Sequence, residues 1–385
     1  MRRASDAERE RLHETFAALC RIESPSGRER ACADWVAGEL RRMGLEVDED
    51  DAGPRVGSNA GNLLARIEGA GRDTILLCAH LDTVPLTAPV EPVRLDDGWE
   101  NANDGILGAD NKSAVAEIVE LARRLTEAGA GPPPVGLELL FTVCEEVSLL
   151  GALAFDVTRL RSRFGYVFDH ATPIGEIVIA APTLHRIVGE FRGRAAHAGV
   201  RPEHGRSAIA AAARAIAAMR LGRLDSETTA NVGTIRGGTA INVVPERCRV
   251  EAEARSVDRG RVEALATEMI DHLQDAADAA ECDLDVTVER MIEGYRMRPR
   301  AIQVTVAEQA LLACGYEPRH ILTGGASDAN AFHAAGLPCT NLADGTEHNH
   351  EPTERISTTA LEGLLEVAIA LVDEAGKALA GETAP

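Results

Sequence analysis

Apolar and polar residues are arranged along this chain in two different periods. Near the start, Ala7 to Cys20 and Ala31 to Gly44 repeat apolar residues at helical spacing. Short apolar runs follow, each of strand length and bounded by Gly, Pro or Asp: GNLLARIEG, DTILLCAHL, VGLELLFTVCEE and GYVFDHA. A helical segment, Lys112 to Ala128, separates the second and third. Strands alternating with helices predict an α/β domain with a mixed, largely parallel sheet. AGAGPPPVG is a surface loop by its Pro and Gly content.

Near Pro182 the pattern changes. Leu184 to Arg194 alternates like a strand, and Arg206 to Leu221 is an Ala-rich helix. Ala230 to Ile235 and Cys248 to Ser256 read as strands, Gly260 to Ala280 as a helix, and Asp283 to Glu289 as a last strand. Strand-helix-strand-strand-helix-strand is the ferredoxin-like order. Val304 to Gly315 is again helical, and the following segments read as a return to the first domain. The expected organisation is therefore a catalytic domain in two parts, 1–181 and 292–385, with an α+β domain inserted at 182–291.

The chain has 385 residues, enough for two or three domains. Its 40 basic and 61 acidic residues give a formal charge of -21, which argues against nucleic-acid binding. No apolar run reaches the ~18 residues that a membrane helix needs. The opening MRRASDAERERLHETF has no apolar core of a secretory leader. The eight cysteines are scattered, without a CxxC pair, mostly inside apolar runs. Small buried thiols in a reduced, cytoplasmic setting are the expectation.

Five segments carry candidate chemistry. In AHLDTVP, His80 and Asp82 end an apolar strand and share one face, so Asp82 can fix the imidazole tautomer. In GILGADNKSAVA, Asp110 stands where a loop enters a helix; its ordinary role would be an N-cap. In FTVCEEVSLLGA, Glu145 and Glu146 follow a buried-type strand, where adjacent carboxylates need a cation or a proton. GYVFDHA puts Asp169 at another strand end, and GTEHNHEPTERI puts His348 and His350 in a polar loop. Open α/β sheets bind ligands beyond the carboxyl ends of their strands. Two His and three carboxylates with one carboxylate to spare is the inventory of a two-metal hydrolase. Mixed N/O ligation suits zinc and tolerates cobalt or manganese.

AHLDTVP, GADNKSA, CEE, the Asp of VFDHA and the late His loop occur in one order along nearly the whole chain. Together they resemble the zinc exopeptidase family that includes peptidase T (tripeptide aminopeptidase), glutamate carboxypeptidase, aminoacylase and succinyl-diaminopimelate desuccinylase. The resemblance implies that His80 and Asp169 hold one metal, Glu146 and a late His the other, and that Asp110 bridges both through a residue whose bond to Asn111 is cis. It makes Glu145 the general base and Asp82 the support of His80. His350 is chosen over His348 because relatives show a Glu four residues later, here Glu354.

The inserted domain is similar to the family's lid or dimerisation domain. RAAHAG places His197 as a stabiliser of the tetrahedral oxyanion, a role worth roughly 3–4 kcal/mol per donor. GGTAINVVP places Asn242 against substrate, and the resemblance also raises Arg255. TGGASDANAF resembles a Gly-rich substrate loop, in which Gly324 and Gly325 permit close backbone approach and Ser327 to Asn330 line the pocket. Peptidase T has an Arg before those glycines, whereas this chain has Thr323; Arg296, Arg298 or Arg300 are the substitutes at hand. The implied activity is amide hydrolysis of a small peptide by a homodimeric, dinuclear tripeptide aminopeptidase. An amidohydrolase or carboxypeptidase acting on an N-acyl amino acid would use the same metals and base. A catalytically inactive binding protein on this fold is the alternative of another class.

Overall fold

The computed structural model describes residues 3–382. Two compact units emerge from its contacts. One contains the residues up to Ile179, Met297–Ile321 and the chain from Ser327 onward; the other contains Ala180–Arg296 and Leu322–Ala326.

The first unit is built on a mixed sheet whose four middle strands are Gly136–Thr142, Thr74–His80, Gly165–His170 and Cys339–Ala343. These four are mutually parallel, while the flanking Leu63–Ile67 and Glu176–Ala181 join antiparallel. Strands covered on both faces need apolar side chains on both faces, which explains runs such as ILLCAH and LELLF. Every residue of Gly136–Thr142 is buried. The parallel register aligns the carboxyl ends: His80 sits opposite Thr142, and Ala343 opposite His170. One edge of the sheet thus collects the chain segments that follow three of the predicted strands, which is where such sheets bind ligands.

Helices cover the sheet. Asp6–Cys20 begins with a capping box in which Ser5 and Glu8 satisfy each other's backbone N–H groups. Ala109–Thr126 and Ile302–Cys314 both pack against a long C-terminal helix, Thr358–Glu382. That helix is absent from the sequence expectation, as is a small antiparallel sheet in the order Thr346–Glu347, Arg355–Ser357, Gly98–Asn101 and Pro92–Arg94. Strands of two to four residues carry no readable period. All eight cysteines are free and seven are buried. Among the described residues, no helix is long and apolar enough to cross a membrane.

The second unit is a four-stranded antiparallel sheet with a short extra edge strand, Gly222–Arg223. In space its strands lie in the order Thr228–Gly237, Arg247–Ser256, Thr183–Arg192, Asp283–Ile292. Ser207 and Asp258 cap the two helices, Ala208–Ala218 and Arg259–Ala279. Period-two alternation sets the faces. Cys248, Val250, Ala252 and Ala254 join the core formed with the helices, and Arg249, Glu251, Glu253 and Arg255 point the other way.

Candidate metal centre

His80 is the last residue of its strand and 2% exposed. Its Nδ1 lies 2.9 Å from the carbonyl oxygen of Asp82 and 3.4 Å from that residue's Oδ1. Both are acceptors, so Nδ1 donates to Asp82 and Nε2 is the ring atom that faces the cluster. Nε2 is 3.0 Å from Asp110 Oδ1, 3.8 Å from Asp169 Oδ1 and 4.0 Å from Glu145 Oε2. Asp82 therefore does more than the expected service to His80. Its carboxylate accepts the backbone N–H of Glu145 at 2.9 Å, that of Glu146 at 3.2 Å and the hydroxyl of Ser26 at 2.7 Å. It aims both glutamates while its main chain aims the histidine.

Asp110 is not a helix cap. Gly108 takes the N-cap position with φ 77°, the Asp110–Asn111 bond is cis, and both residues leave helical φ/ψ. The first turn opens, and the freed groups find side-chain partners. Glu354 accepts the N–H of Gly108 at 2.8 Å and that of Asp110 at 2.9 Å. Asn111 accepts the N–H of His80 at 3.3 Å and donates to the carbonyl of Phe168. The Asp110 carboxylate then spans two histidines, with Oδ1 toward His80 and Oδ2 3.3 Å from His350 Nε2. Asn349 donates to the same Oδ2 at 2.9 Å.

Glu146 meets His350 Nε2 at 3.0 Å. Cys144 and His350 both adopt positive φ, 54° and 68°, which re-aims the chain sharply at each approach to the cluster. His348 goes elsewhere: its Nδ1 is 3.2 Å from Thr353 Oγ1. Asp169 is fixed by Asn341, which accepts its N–H at 3.0 Å and donates to its carbonyl at 2.8 Å. The outcome is two sets of donor atoms. His80, Asp110 and Asp169 form one and Asp110, Glu146 and His350 the other, each within 4.8 Å.

Comparisons with known proteins show what the chain is similar to. A model of a peptidase dimerisation domain matches residues 184–281, and a model of peptidase family M28 matches residues 62–173. The crystal structure of aminopeptidase PepT from Bacillus cereus is 37% identical, with a TM-score of 0.86 over 95% of this chain and 98% of that one. A tripeptidase from Staphylococcus aureus is 32% identical, with a TM-score of 0.91 over 96% and 99% of the two chains. Two sequence relatives add to these: the uncharacterized YqjE of Bacillus subtilis, 35% identical over 95% of this chain and 99% of its own, and a probable carboxypeptidase of Paracoccidioides brasiliensis, 32% identical over 72% and 70%. The chain belongs to the peptidase T-like exopeptidases. It is a metal-dependent hydrolase of that family.

The residues of this peptidase T-like chain suit the divalent metal that the family implies. Burial raises the proton affinity of Glu145 and Asp169 well above the usual carboxylate range, and each is pushed further by neighbouring carboxylates. Glu146 is raised for the same reasons, against the pull of His350. Burial opposes charge on His80, yet its hydrogen bonds to Asp110 and Asp82 carry it well above an ordinary imidazole. His350 is pushed up to about 10 by Asp110 and Glu146. Only Asp110, between both imidazoles, is held below its usual value despite burial. A cluster that draws protons this strongly lacks positive charge, and hard oxygen donors with imidazole nitrogens are what zinc-like cations accept.

The sequence reading missed Asn341, Asn349 and one acid, Asp344, and named Asn111 only for its cis bond and Asp328 only as part of the pocket lining. Asp328, inside ASDAN, is buried, accepts from Thr142 and leaves Oδ1 without a partner. Asp344 is buried and raised to about 7, first by burial and then by Asp110. Their signal was a lone acid in an apolar neighbourhood.

In the second unit of this peptidase T-like chain, His197 and Asn242 stand together. The two loops that carry them form an isolated bridge at His197 and Val243, and the Asn242 carbonyl accepts the N–H of Ala198 at 2.9 Å. Both side chains are exposed. Arg255 ties to Glu253 at 3.0 Å and donates to the Gly324 carbonyl at 3.3 Å. A Cβ on Gly324 would meet nothing within 4 Å, so the folded unit itself does not require glycine there. The Gly325 position is nearly as open, with Thr323 Oγ1 at 3.5 Å. Ser327 belongs to the first unit, buried, where its hydroxyl caps the helix Asp328–Ala334.

Proposed function

We propose that this protein removes the amino-terminal residue from small peptides, tripeptides above all, with two divalent metal ions at the paired donor sets. The observation that carries the reading is the sharing of Asp110 between the two sets. His80 and Asp169 would hold one ion, Glu146 and His350 the other, and zinc is the metal that this mixture of donors best suits. When bound, such ions supply Lewis acidity to the scissile carbonyl and acidify water. Glu145 takes the proton from the attacking water and delivers it to the leaving amine. Its buried carboxylate, 4.0 Å from His80 Nε2, stands beside the donor sets where both halves of that task take place. Asp82 keeps Glu145 aimed through the backbone N–H. His197 donates to the oxyanion and Asn242 contacts substrate, with the second unit also forming the homodimer. The full-length likeness to a PepT and a tripeptidase supports the substrate class.

The probable carboxypeptidase among the relatives favours a second reading, release of a carboxy-terminal or N-acyl-linked amino acid. A mass-spectrometric assay separates the two. It uses a free tripeptide and its N-acetylated twin, with zinc, cobalt and manganese forms and Glu145→Ala as blank. Loss of the first residue from the free peptide alone is the expected result. Turnover of the acetylated twin alone would defeat the aminopeptidase reading.

A further inference from the structure

A buried carboxyl in the first unit joins the two strands that lead to His80 and Glu145. Thr142 and His80 end adjacent parallel strands and lie opposite each other in register. The Thr142 carbonyl accepts the N–H of Leu81 at 2.8 Å, which holds the segment between His80 and Asp82. From Thr142 the chain runs through Val143 and Cys144 to Glu145 and Glu146. The Thr142 hydroxyl donates to Oδ2 of Asp328, 186 residues further on, and the same oxygen lies 3.8 Å from Cys78 Sγ. Cys78 and His80 are two positions apart in one strand and share a face. Asp328 therefore sits against the face of the sheet that carries the His80 imidazole. It is buried, and the capping box of Ser327 and Asn330 fixes its place at the start of Asp328–Ala334. Burial pushes its pKa up to about 6, against the hydrogen bond from Thr142 and the charge of His80.

We propose that Asp328 is a positioning residue for Glu145: by holding the Thr142 hydroxyl it fixes the point from which the chain turns to the general base. The inference rests on the reading of Glu145 as that base. Connectivity supplies the first argument. The Thr142 carbonyl holds Leu81, Asp82 follows Leu81, and the Asp82 carboxylate accepts the N–H of Glu145. Thr142, Leu81, Asp82 and Glu145 thus form a closed circuit of hydrogen bonds and chain, and Asp328 ties that circuit to a third segment at the Thr142 side chain. Burial supplies the second. An acid at a helix start favours the helix dipole without being buried. Asp328 is instead buried with Oδ1 unpartnered, a costly place for a carboxyl, and the Thr142 hydroxyl that it satisfies is buried as well. Chemistry supplies the third. Displacing a catalytic group by about 1 Å can cost about 10²-fold in rate, so the anchor of the turn that carries a general base bears on kcat.

The test compares the metal-loaded, full-length wild type with Asp328→Ala, Thr142→Val, the double variant and Thr142→Ser, on Leu-Gly-Gly and its N-acetylated twin. On whichever peptide the wild type cleaves, Asp328→Ala and Thr142→Val should each lower kcat about tenfold or more, with KM little changed. Metal content per folded chain should stay at the wild-type value, since neither residue belongs to the donor sets. The double variant should lose no more than the worse single one, because both changes break the same bond. Thr142→Ser restores the hydroxyl and should recover most of the loss. Thr142→Val removes little beyond that hydroxyl, so it carries the test if Asp328→Ala folds poorly. A lowered Tm with unchanged kcat in the single variants would show a purely structural bond and overturn the proposal. Additive losses in the double variant, or a fall in metal content that accounts for the lost kcat, would overturn it too. Failure of the underlying reading shows separately, in Glu145→Ala: wild-type kcat there would remove Glu145 as the base, whatever the Asp328 variants do.

Discussion

The two donor sets share Asp110 but are built in opposite ways. His80 and Asp169 hang from adjacent strands of the main sheet, and His80 is 2% exposed. His350 is half exposed, sits at positive φ, and is carried by the small sheet of two- to four-residue strands. The first set is positioned by core packing; the second depends on side-chain hydrogen bonds from Glu354, Asn349 and the Asp82-held turn of Glu146. Local stability follows burial and contact density, so the two sets should differ in how firmly they hold an ion.

The largest effect should come from the residue they have in common. Asp110→Ala is expected to leave less than one equivalent of metal in total and to lower kcat/KM by about 10³-fold or more. Metal analysis beside kinetics checks this. If one full equivalent survived, the two sets would be independent and the shared-ligand geometry wrong. Next in size, His350→Ala should keep one equivalent and His80→Ala should retain less. Chelator titration of the wild type should correspondingly show one ion leaving before the other. Simultaneous loss would erase the distinction between a rigid and a loop-borne half.

Glu354→Gln probes the support beneath that difference. The amide keeps one acceptor for the N–H groups of Gly108 and Asp110 but removes the charge. Outer partners of metal ligands typically matter about 10–100-fold, and the loss should fall on activity and on the weaker ion. Glu354 is itself raised to about 7, by burial before any neighbouring charge, so its carboxylate is already tuned by the interior. An Ala variant as active as Gln would mean that the opened helix turn holds without it.

The contrast between the sets also marks what the sequence made legible. His80, Glu145, Glu146 and Asp169 stood out because parallel strands buried on both faces read as unbroken apolar runs, and the polar residue that ends such a run is conspicuous. The inserted unit was readable for the complementary reason: its strands alternate and its helices start at Ser207 and Asp258. The small sheet was invisible, since strands so short have no period. The partners Asn341 and Glu354 reach Asp169 and Asp110 across 172 and 244 residues, and no local pattern encodes such distances. His348 and His350 were separable by residue pattern only through the resemblance; in space, positive φ at both turns one toward Thr353 and the other toward Glu146.

The smallest expected effect is a pH response confined to the loop-borne half. The strand Gly98–Asn101 pairs with Arg355–Ser357, which begins directly after Glu354. Trp99 on that strand donates its indole N–H to His13 Nδ1 at 3.0 Å, and His13 Nε2 faces Glu362 at 3.2 Å. Arg94 lies over the Trp99 ring, and its charge also opposes protonation of His13, as Glu10 and Glu362 favour it. Burial dominates and lowers the His13 pKa below the ordinary 6.5. The sign follows: the folded state binds this proton less readily than the unfolded chain. The contribution is fully present above pH 6.5 and is lost as pH falls toward the folded value. Protonating Nδ1 leaves the Trp99 N–H without its acceptor, a loss of about 1 kcal/mol. Metal affinity of the weaker ion should therefore drop more steeply below pH 6.5 than ligand protonation alone predicts, and His13→Gln should flatten that extra slope. An identical pH curve in the variant would show that the anchor stabilises the fold without reaching the loop.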